Sequence, residues 1–393
     1  MKTCSRKFIP YGRQWIDEDD IRAVVDVLKS DYLTTGSSVG VFEEKIAKTA
    51  GTKYAVAVSS GTAALHAACF AAGLTRGDEA VTTPMTFAAT ANSILYAGAK
   101  PVFADIDSKT YNIEPDEVRK RITRKTKVII PVHFAGLPCD MDKVLKIADD
   151  HGLVVIEDAA HALGAEYKGR KIGSIGDMAI FSFHPVKHIT TGEGGAVVTN
   201  RAELYEKLIM FRNHGITREP AKFEINGGPW HYEEHFLGYN FRLTDFQAAL
   251  GISQLGKLGR FLSERNKLAM RYNEAFKNVD EIVSAPFQKN IRHAWHLYVI
   301  RIKLEKLKIG RKEIFEELVR RNIGANVHYI PVYYHPYYQR IGYKKGLCPN
   351  AEKLYEEIIT LPLFPMMSEE DIDYVADNVK DILLKNRKQL LNP

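Results

Sequence analysis

The sequence predicts an α/β fold: a large domain on a central, mostly parallel sheet, followed by a smaller α+β domain at the C-terminal end. Three observations carry this. Short apolar runs alternate with helical patterns through the first two thirds of the chain. Those runs lack a polar–apolar alternation, which marks strands covered on both faces. After about Leu255 long charged helices take over, with few strands between them. The division therefore falls at 1–255 for the large domain, with its N-terminal helical segment, and 256–393 for the small one.

In chain order, residues 17–30 and 41–49 carry amphipathic helical patterns. AVAVSS is a short strand and GTAALHAACFAAGL an Ala-rich helix. EAVTTP and KPVFADI are strands on either side of the helix FAATANSILYAGA. KVIIPVHF, LVVIEDAA, MAIFSF and GAVVTN follow as further buried strands. Past the boundary, Gly256–Phe276 is a helix and HLYVIRIKL a strand.

Composition excludes several classes. The 393 residues are 45% hydrophobic and 26% charged, enough for two cores. The net charge of +6 is spread along the chain, which suits small anions and speaks against a nucleic-acid partner. No apolar run is long enough for a membrane span, and the start lacks a secretory pattern, so a cytoplasmic location is expected. Cys4, Cys69, Cys139 and Cys348 lie far apart with no CxxC, so neither a disulfide framework nor a metal site is expected.

Three segments carry chemistry. In AVAVSSGTAAL a strand runs through Ser60-Gly61-Thr62 into a helix. A helix start offers free N–H groups and partial positive charge, Gly61 admits a close ligand, and Ser60 and Thr62 add hydroxyls. That suits a phosphate monoester, although an ordinary Ser/Thr helix cap has the same letters. No GxGxxG or GxxxxGK[ST] is present, which disfavours a dinucleotide site or a P-loop. LVVIEDAAHALGA places Glu157 and Asp158 at a strand's carboxyl end, where open sheets bind ligands, with His161 close behind. MAIFSFHPVKHITTGEGGAVVTN places Lys187 in a loop after Ser182, among apolar and aromatic residues. Desolvation there can turn a lysine into an amine nucleophile. Cradle, carboxylate and lysine together match the needs of pyridoxal 5′-phosphate: a phosphate anchor, a partner for a protonated ring nitrogen, and a Schiff-base amine.

SSGTAALHAAC, TTPMTFAATANSILYAGAKPVFADID, VIEDAAHALGA, FSFHPVKHITTGEGGAVVTN and GYNFRLTDFQAALGISQL resemble the signature blocks of the DegT/DnrJ/EryC1/StrS sugar aminotransferases, in the same order. The resemblance implies fold type I of the pyridoxal-phosphate-dependent transferases. It assigns Lys187 to the Schiff base and Asp158 to the ring nitrogen. It assigns Gly61, Thr62 and Ser182 to the phosphate, Phe87 to stacking on the cofactor, and His161 to its 3-hydroxyl side. Asn240 would reach the phosphate of a neighbouring subunit, implying a homodimer with shared active sites. His328 and Tyr329, and the loop with Thr35 and Gly36, match segments near the substrate.

The SFHPVK and TTGEGGAVVTN wording is most similar to the 4-aminotransferases of pseudaminic-acid pathways. This implies amino transfer from L-glutamate to C4 of a UDP-linked 4-keto-6-deoxy N-acetyl sugar, giving a 4-amino altrosamine. Other 3- or 4-aminotransferases of nucleotide sugars, a sugar dehydratase on the same fold, and a non-catalytic regulatory protein remain the competing readings. The presence of Lys187 favours amino transfer over dehydration, since a related branch carries histidine there.

Overall fold

The apolar runs become strands and assemble out of sequence order. The computed structural model describes residues 7–225, 227–288 and 290–388. Its strands are β1 (Tyr54–Val58), β2 (Glu79–Thr82), β3 (Lys100–Phe103), β4 (Thr126–Ile130), β5 (Val154–Asp158), the short hairpin β6 (Glu166–Tyr167) and β7 (Arg170–Lys171), then β8 (Met178–Ser182) and β9 (Gly195–Thr199). All but β6 and β7 form one seven-stranded sheet in the order β1-β9-β8-β5-β4-β2-β3. Neighbours pair in parallel except at β9, which runs antiparallel to both β1 and β8.

Period two explains why these runs lack polar positions. Along β1, Ala55 and Ala57 enter the core on one face while Val56 and Val58 enter the core on the other. Phe181 and Ile180 of β8 divide in the same way. Helices α1 (Glu18–Leu28), α2 (Ser37–Ala50), α3 (Gly61–Ala71), α4 (Ala89–Tyr96), α5 (Pro115–Arg121), α6 (Met141–His151) and α7 (Ala202–Arg212) connect and cover them. Asp17 opens α1 as a capping box with Asp20, and Ser60 caps α3 by accepting from the Ala63 N–H at 3.0 Å.

A hairpin of β10 (Ile216–Thr217) and β11 (Glu233–Glu234) precedes α8 (Asp245–Phe276). The charged pattern predicts the start of this helix at Gly256; it begins at Asp245 instead. The residues between form a close-packed small-residue face, and a Cβ on Gly251 would lie 2.5 Å from the Phe42 ring. The helix runs unbroken through residue 256. Leu258 to Leu262 join the first core, whereas Leu268 to Phe276 join a second. That second core closes over β12 (Ile282–Val283), β14 (Tyr298–Ile302) and β15 (Ile358–Leu361), an antiparallel sheet, while β13 (Ile291–Arg292) pairs back to β6. Helices α9 (Arg311–Arg320), α10 (Pro336–Arg340), α11 (Pro349–Glu357) and α12 (Glu369–Lys385) complete the chain. Among the described residues no helix is long and apolar enough to cross a membrane. Cys69, Cys139 and Cys348 are buried free thiols; Cys4 lies outside the described residues.

Candidate active site

The carboxyl ends of β1, β5 and β8 open on a cavity of about 540 Å³, within the usual range for small-molecule sites. Its floor begins where α3 starts. The first N–H groups of an α-helix have no intrahelical partner, so those of Gly61 and Thr62 are available to a ligand. Ser60 has its hydroxyl engaged as the cap, yet lines the same cavity. Gly61 is required by distance: a Cβ there would stand 2.9 Å from the Ser182 Cβ and 3.0 Å from its Oγ. The helix start and the end of β8 thus meet as one cradle of N–H and hydroxyl donors.

At the end of β5 the alternation separates two adjacent carboxylates. Glu157 turns away from the cavity, sits 3.0 Å from His133 Nε2 and accepts the N–H groups of Ile175 and Gly176. Asp158 lines the cavity, where it accepts from Thr90 Oγ1 at 2.7 Å and from the Ala160 N–H at 3.2 Å. Burial raises the Asp158 carboxyl above its ordinary range, with Thr90 opposing this. A buried carboxylate held by two neutral donors is short of a cationic partner.

Lys187 follows β8 and lines the same cavity. Burial lowers its amine from 10.5 to about 8, against the pull of Asp158 and with Arg265 adding repulsion. Its Nζ lies 3.4 Å from His296 Nε2. His161, whose charge state the sequence leaves open, is neutral: burial foremost, then Lys187, hold it well below its ordinary range. Its Nε2 shares a 3.0 Å hydrogen bond with the Tyr329 hydroxyl, while its Nδ1 is buried without a partner among the described residues. His328 shares a 2.9 Å hydrogen bond with Thr360 Oγ1, and burial pushes it down to about 3. Phe87 is 64% exposed on the cavity rim, its ring 6.5 Å from that of Tyr329.

Ser60, Gly61, Thr62, Phe87, Asp158, His161, Ser182, Lys187, His328 and Tyr329 therefore share one cavity. Thr35, Gly36 and Asn240 stand apart from it. Thr35 and Gly36 line a second cavity of about 320 Å³ with Arg242, and Asn240 bridges to Asn213 on its wall. Sequence reading misses Tyr11, Thr90 and His296. Thr90 was findable, a hydroxyl residue on the opening turn of α4 in the same TTPMTFAAT block as Phe87. His296 carries no such signal, lying 109 residues from the amine it approaches.

Pyridoxal phosphate fits these residues. The cradle that a Cβ at Gly61 would fill suits its phosphate, the unpaired carboxylate of Asp158 a protonated ring nitrogen, and the unpartnered Nδ1 of His161 a polar ring substituent. Lys187 supplies an amine with an accessible neutral form.

Comparison with known proteins agrees. Residues 14–380 match the model of the DegT/DnrJ/EryC1/StrS aminotransferase family. The spore coat polysaccharide biosynthesis protein SpsC of Bacillus subtilis is 44% identical over 96% of this chain and 97% of its own. The structure of Helicobacter pylori PseC, an aminotransferase of pseudaminic acid biosynthesis, superposes with a TM-score of 0.90 at 35% identity, covering 96% of this chain and 100% of that one. A sugar aminotransferase of Streptococcus pneumoniae, Spr1654, known in its PLP form, does so with a TM-score of 0.89 at 32% identity, covering 96% of this chain and 99% of that one.

Proposed function

Because the chain belongs to the DegT/DnrJ/EryC1/StrS aminotransferase family, we propose that it moves the amino group of L-glutamate to C4 of a 4-keto-6-deoxy nucleotide sugar, UDP-2-acetamido-2,6-dideoxy-β-L-arabino-hexos-4-ulose, in the making of a pseudaminic-acid-type sugar. It is a pyridoxal-phosphate-dependent sugar aminotransferase. The observation that carries the reading is the meeting of the Lys187 amine, the Asp158 carboxylate and the Gly61–Ser182 cradle in one cavity.

When bound, pyridoxal phosphate supplies the electron sink and carries the amino group between donor and acceptor. In this reading Gly61, Thr62 and Ser182 bind its phosphate, and Asp158 keeps its ring nitrogen protonated. Phe87 covers the ring, and neutral His161 faces its 3-hydroxyl side. Lys187 Nζ is the amine that would hold the cofactor. Once freed, it takes the proton from the α-carbon of glutamate, and in the second half of the cycle it delivers a proton to C4 of the sugar. A base so placed must be neutral when it acts, and a value of about 8 allows that near neutral pH. His328 and Tyr329, which line the same cavity, would face the sugar.

The partner of this chain in the reading is a second copy. Asn240 would reach the neighbour's phosphate, and Thr35 and Gly36 the neighbour's substrate, which accounts for their distance from the cavity of their own chain. The similarity to PseC supports a pseudaminic-acid-type pathway. The 44% identity to SpsC supports a second reading, another amino sugar for a surface polysaccharide.

The test is incubation of the purified protein with glutamate and a panel of UDP-, dTDP- and GDP-linked 4-keto sugars, read by mass spectrometry and product NMR. Nitrogen at C4 of the UDP sugar is expected. Nitrogen at C3, or a different nucleotide preference, overturns the specific assignment. Full turnover by Lys187→Ala with cofactor present overturns the catalytic one.

A further inference from the structure

We propose that His296 is the positioning residue of Lys187: its bare Nε2 accepts a hydrogen bond from the free amine and holds that amine at the cavity wall between proton transfers. This rests on the aminotransferase reading above. The amine and Nε2 are 3.4 Å apart, long for a hydrogen bond, as catalytic contacts often are before substrate tightens them. No carboxylate lies within ion-pair distance of this amine among the described residues. An unattached lysine side chain has several rotatable bonds and needs a partner to remain in one place.

The backbone that carries the imidazole is bolted to the fold, while the ring's Nδ1 is buried without a hydrogen-bond partner among the described residues. The His296 backbone N–H donates to the Ala135 carbonyl at 2.9 Å. Its own carbonyl accepts from Arg265 Nη1 at 3.2 Å, and the same nitrogen holds the carbonyls of Trp295 and Leu363. His188 Nε2 bonds the Ala294 carbonyl at 3.0 Å. The strand entry that carries His296 is thus gripped from α8, from the loop after β8 and from the turn after β4.

The groups facing His296 keep its ring neutral, and the tautomer the proposal requires carries the proton on Nδ1 and leaves Nε2 bare. Lys187 and His188 face it from the loop after β8, Arg265 from α8 and His161 from the turn after β5, with ring centroids 4.3 Å apart. Arg265 is a buried guanidinium held, among the described residues, by carbonyl groups and by no carboxylate, so its positive charge is not neutralised locally. Asp158 acts on Lys187, not among the groups that shift His296. Burial first, then Lys187, disfavour a proton on His296. A neutral ring cannot compete with Lys187 as a second cation, and it offers the amine a lone pair.

The test uses the full-length wild type, His296→Leu and His296→Gln. His296→Phe, also without an acceptor, replaces the leucine variant if circular dichroism shows that one unfolded. In apoprotein, labelling of Lys187 by trinitrobenzenesulfonate is followed across pH by peptide mass spectrometry. Loss of the acceptor removes a bond that favours the charged amine, so the labelling midpoint in His296→Leu falls by about half to one pH unit. His296→Gln, which keeps an acceptor, stays close to the wild type. Loosened packing would instead admit water and raise the midpoint, so an unchanged or raised midpoint overturns the proposal. In cofactor-loaded protein, the glutamate-driven loss of visible absorbance slows about 10- to 100-fold in His296→Leu. It also shows a larger deuterium isotope effect with α-deuterated glutamate, and His296→Gln recovers much of the rate. A wild-type rate in His296→Leu overturns the proposal. A wild type whose spectrum ignores glutamate overturns the aminotransferase reading instead.

Discussion

Titrating Lys187 in the apoprotein tests the electrostatics of the site directly. Burial moves the amine from 10.5 to about 8. At about 1.36 kcal/mol per unit, that difference of about 2.5 units is about 3 kcal/mol of bias toward the neutral form. At about pH 7.5, roughly a quarter of the amines are then neutral, against roughly one in a thousand for an ordinary lysine. Site-resolved labelling with a neutral-amine reagent should show Lys187 with a midpoint near 8 while surface lysines stay near their usual value. The sign carries through to stability. The folded chain holds this proton less tightly than the unfolded chain, so the contribution of Lys187 rises with pH between about 8 and 10.5, and its full cost is present below that window. Lys187→Met should therefore stabilise the apoprotein at pH 7, with the gain fading as pH climbs toward 10.5. A labelling midpoint near 10.5, or a gain that grows with pH, would refute the reasoning.

Three further substitutions separate roles that adjacent residues play. Gly61→Ala forces a methyl group to within 2.9 Å of Ser182, so cofactor affinity should fall at least about 10-fold, measured by absorbance titration, with the circular dichroism unchanged. Asp158→Asn leaves the ring nitrogen without an anion, and the glutamate half-reaction should slow by about 10²-fold or more in stopped flow. Glu157→Ala, one residue earlier, should leave the cofactor spectrum intact. It strips His133 and the N–H groups of Ile175 and Gly176 of a buried partner, costing about 3 kcal/mol in denaturant unfolding.

The sheet was legible because its strands are covered on both faces and so contain almost nothing polar until their ends. That same feature made Asp158 and Ser182 conspicuous, as polar residues terminating apolar runs. Which of Glu157 and Asp158 faced the ligand was not legible from the run alone, since it depends on which side of the sheet the cavity opens. The start of α8 was missed because Ala248, Ala249 and Gly251 read as small apolar residues without a charged face to mark a helix, and only their packing on α2 explains them. His296 and Arg265 were invisible for a different reason. Their roles arise from contacts between segments far apart in the chain: His296 heads the strand run HLYVIRIKL and Arg265 lies mid-helix, and neither pattern says what the side chain meets. Thr35, Gly36 and Asn240 came from resemblance, and no periodicity within the chain leads to them.

The sheet order has a bearing on how the protein matures. Ser60 and Ser182 are brought together by β9, which pairs with both β1 and β8, placing Tyr54 opposite Thr199 and Met178 opposite that same Thr199. The edge strand that carries the cradle thus waits for a partner synthesised far later, and closing so long a loop is slow. A nascent chain ending before Gly195 would hold β8 beside β5 but would lack β9, the strand that ties β1 into the sheet. The two sides of the cradle are therefore fixed in one sheet only once β9 has joined β1 to β8.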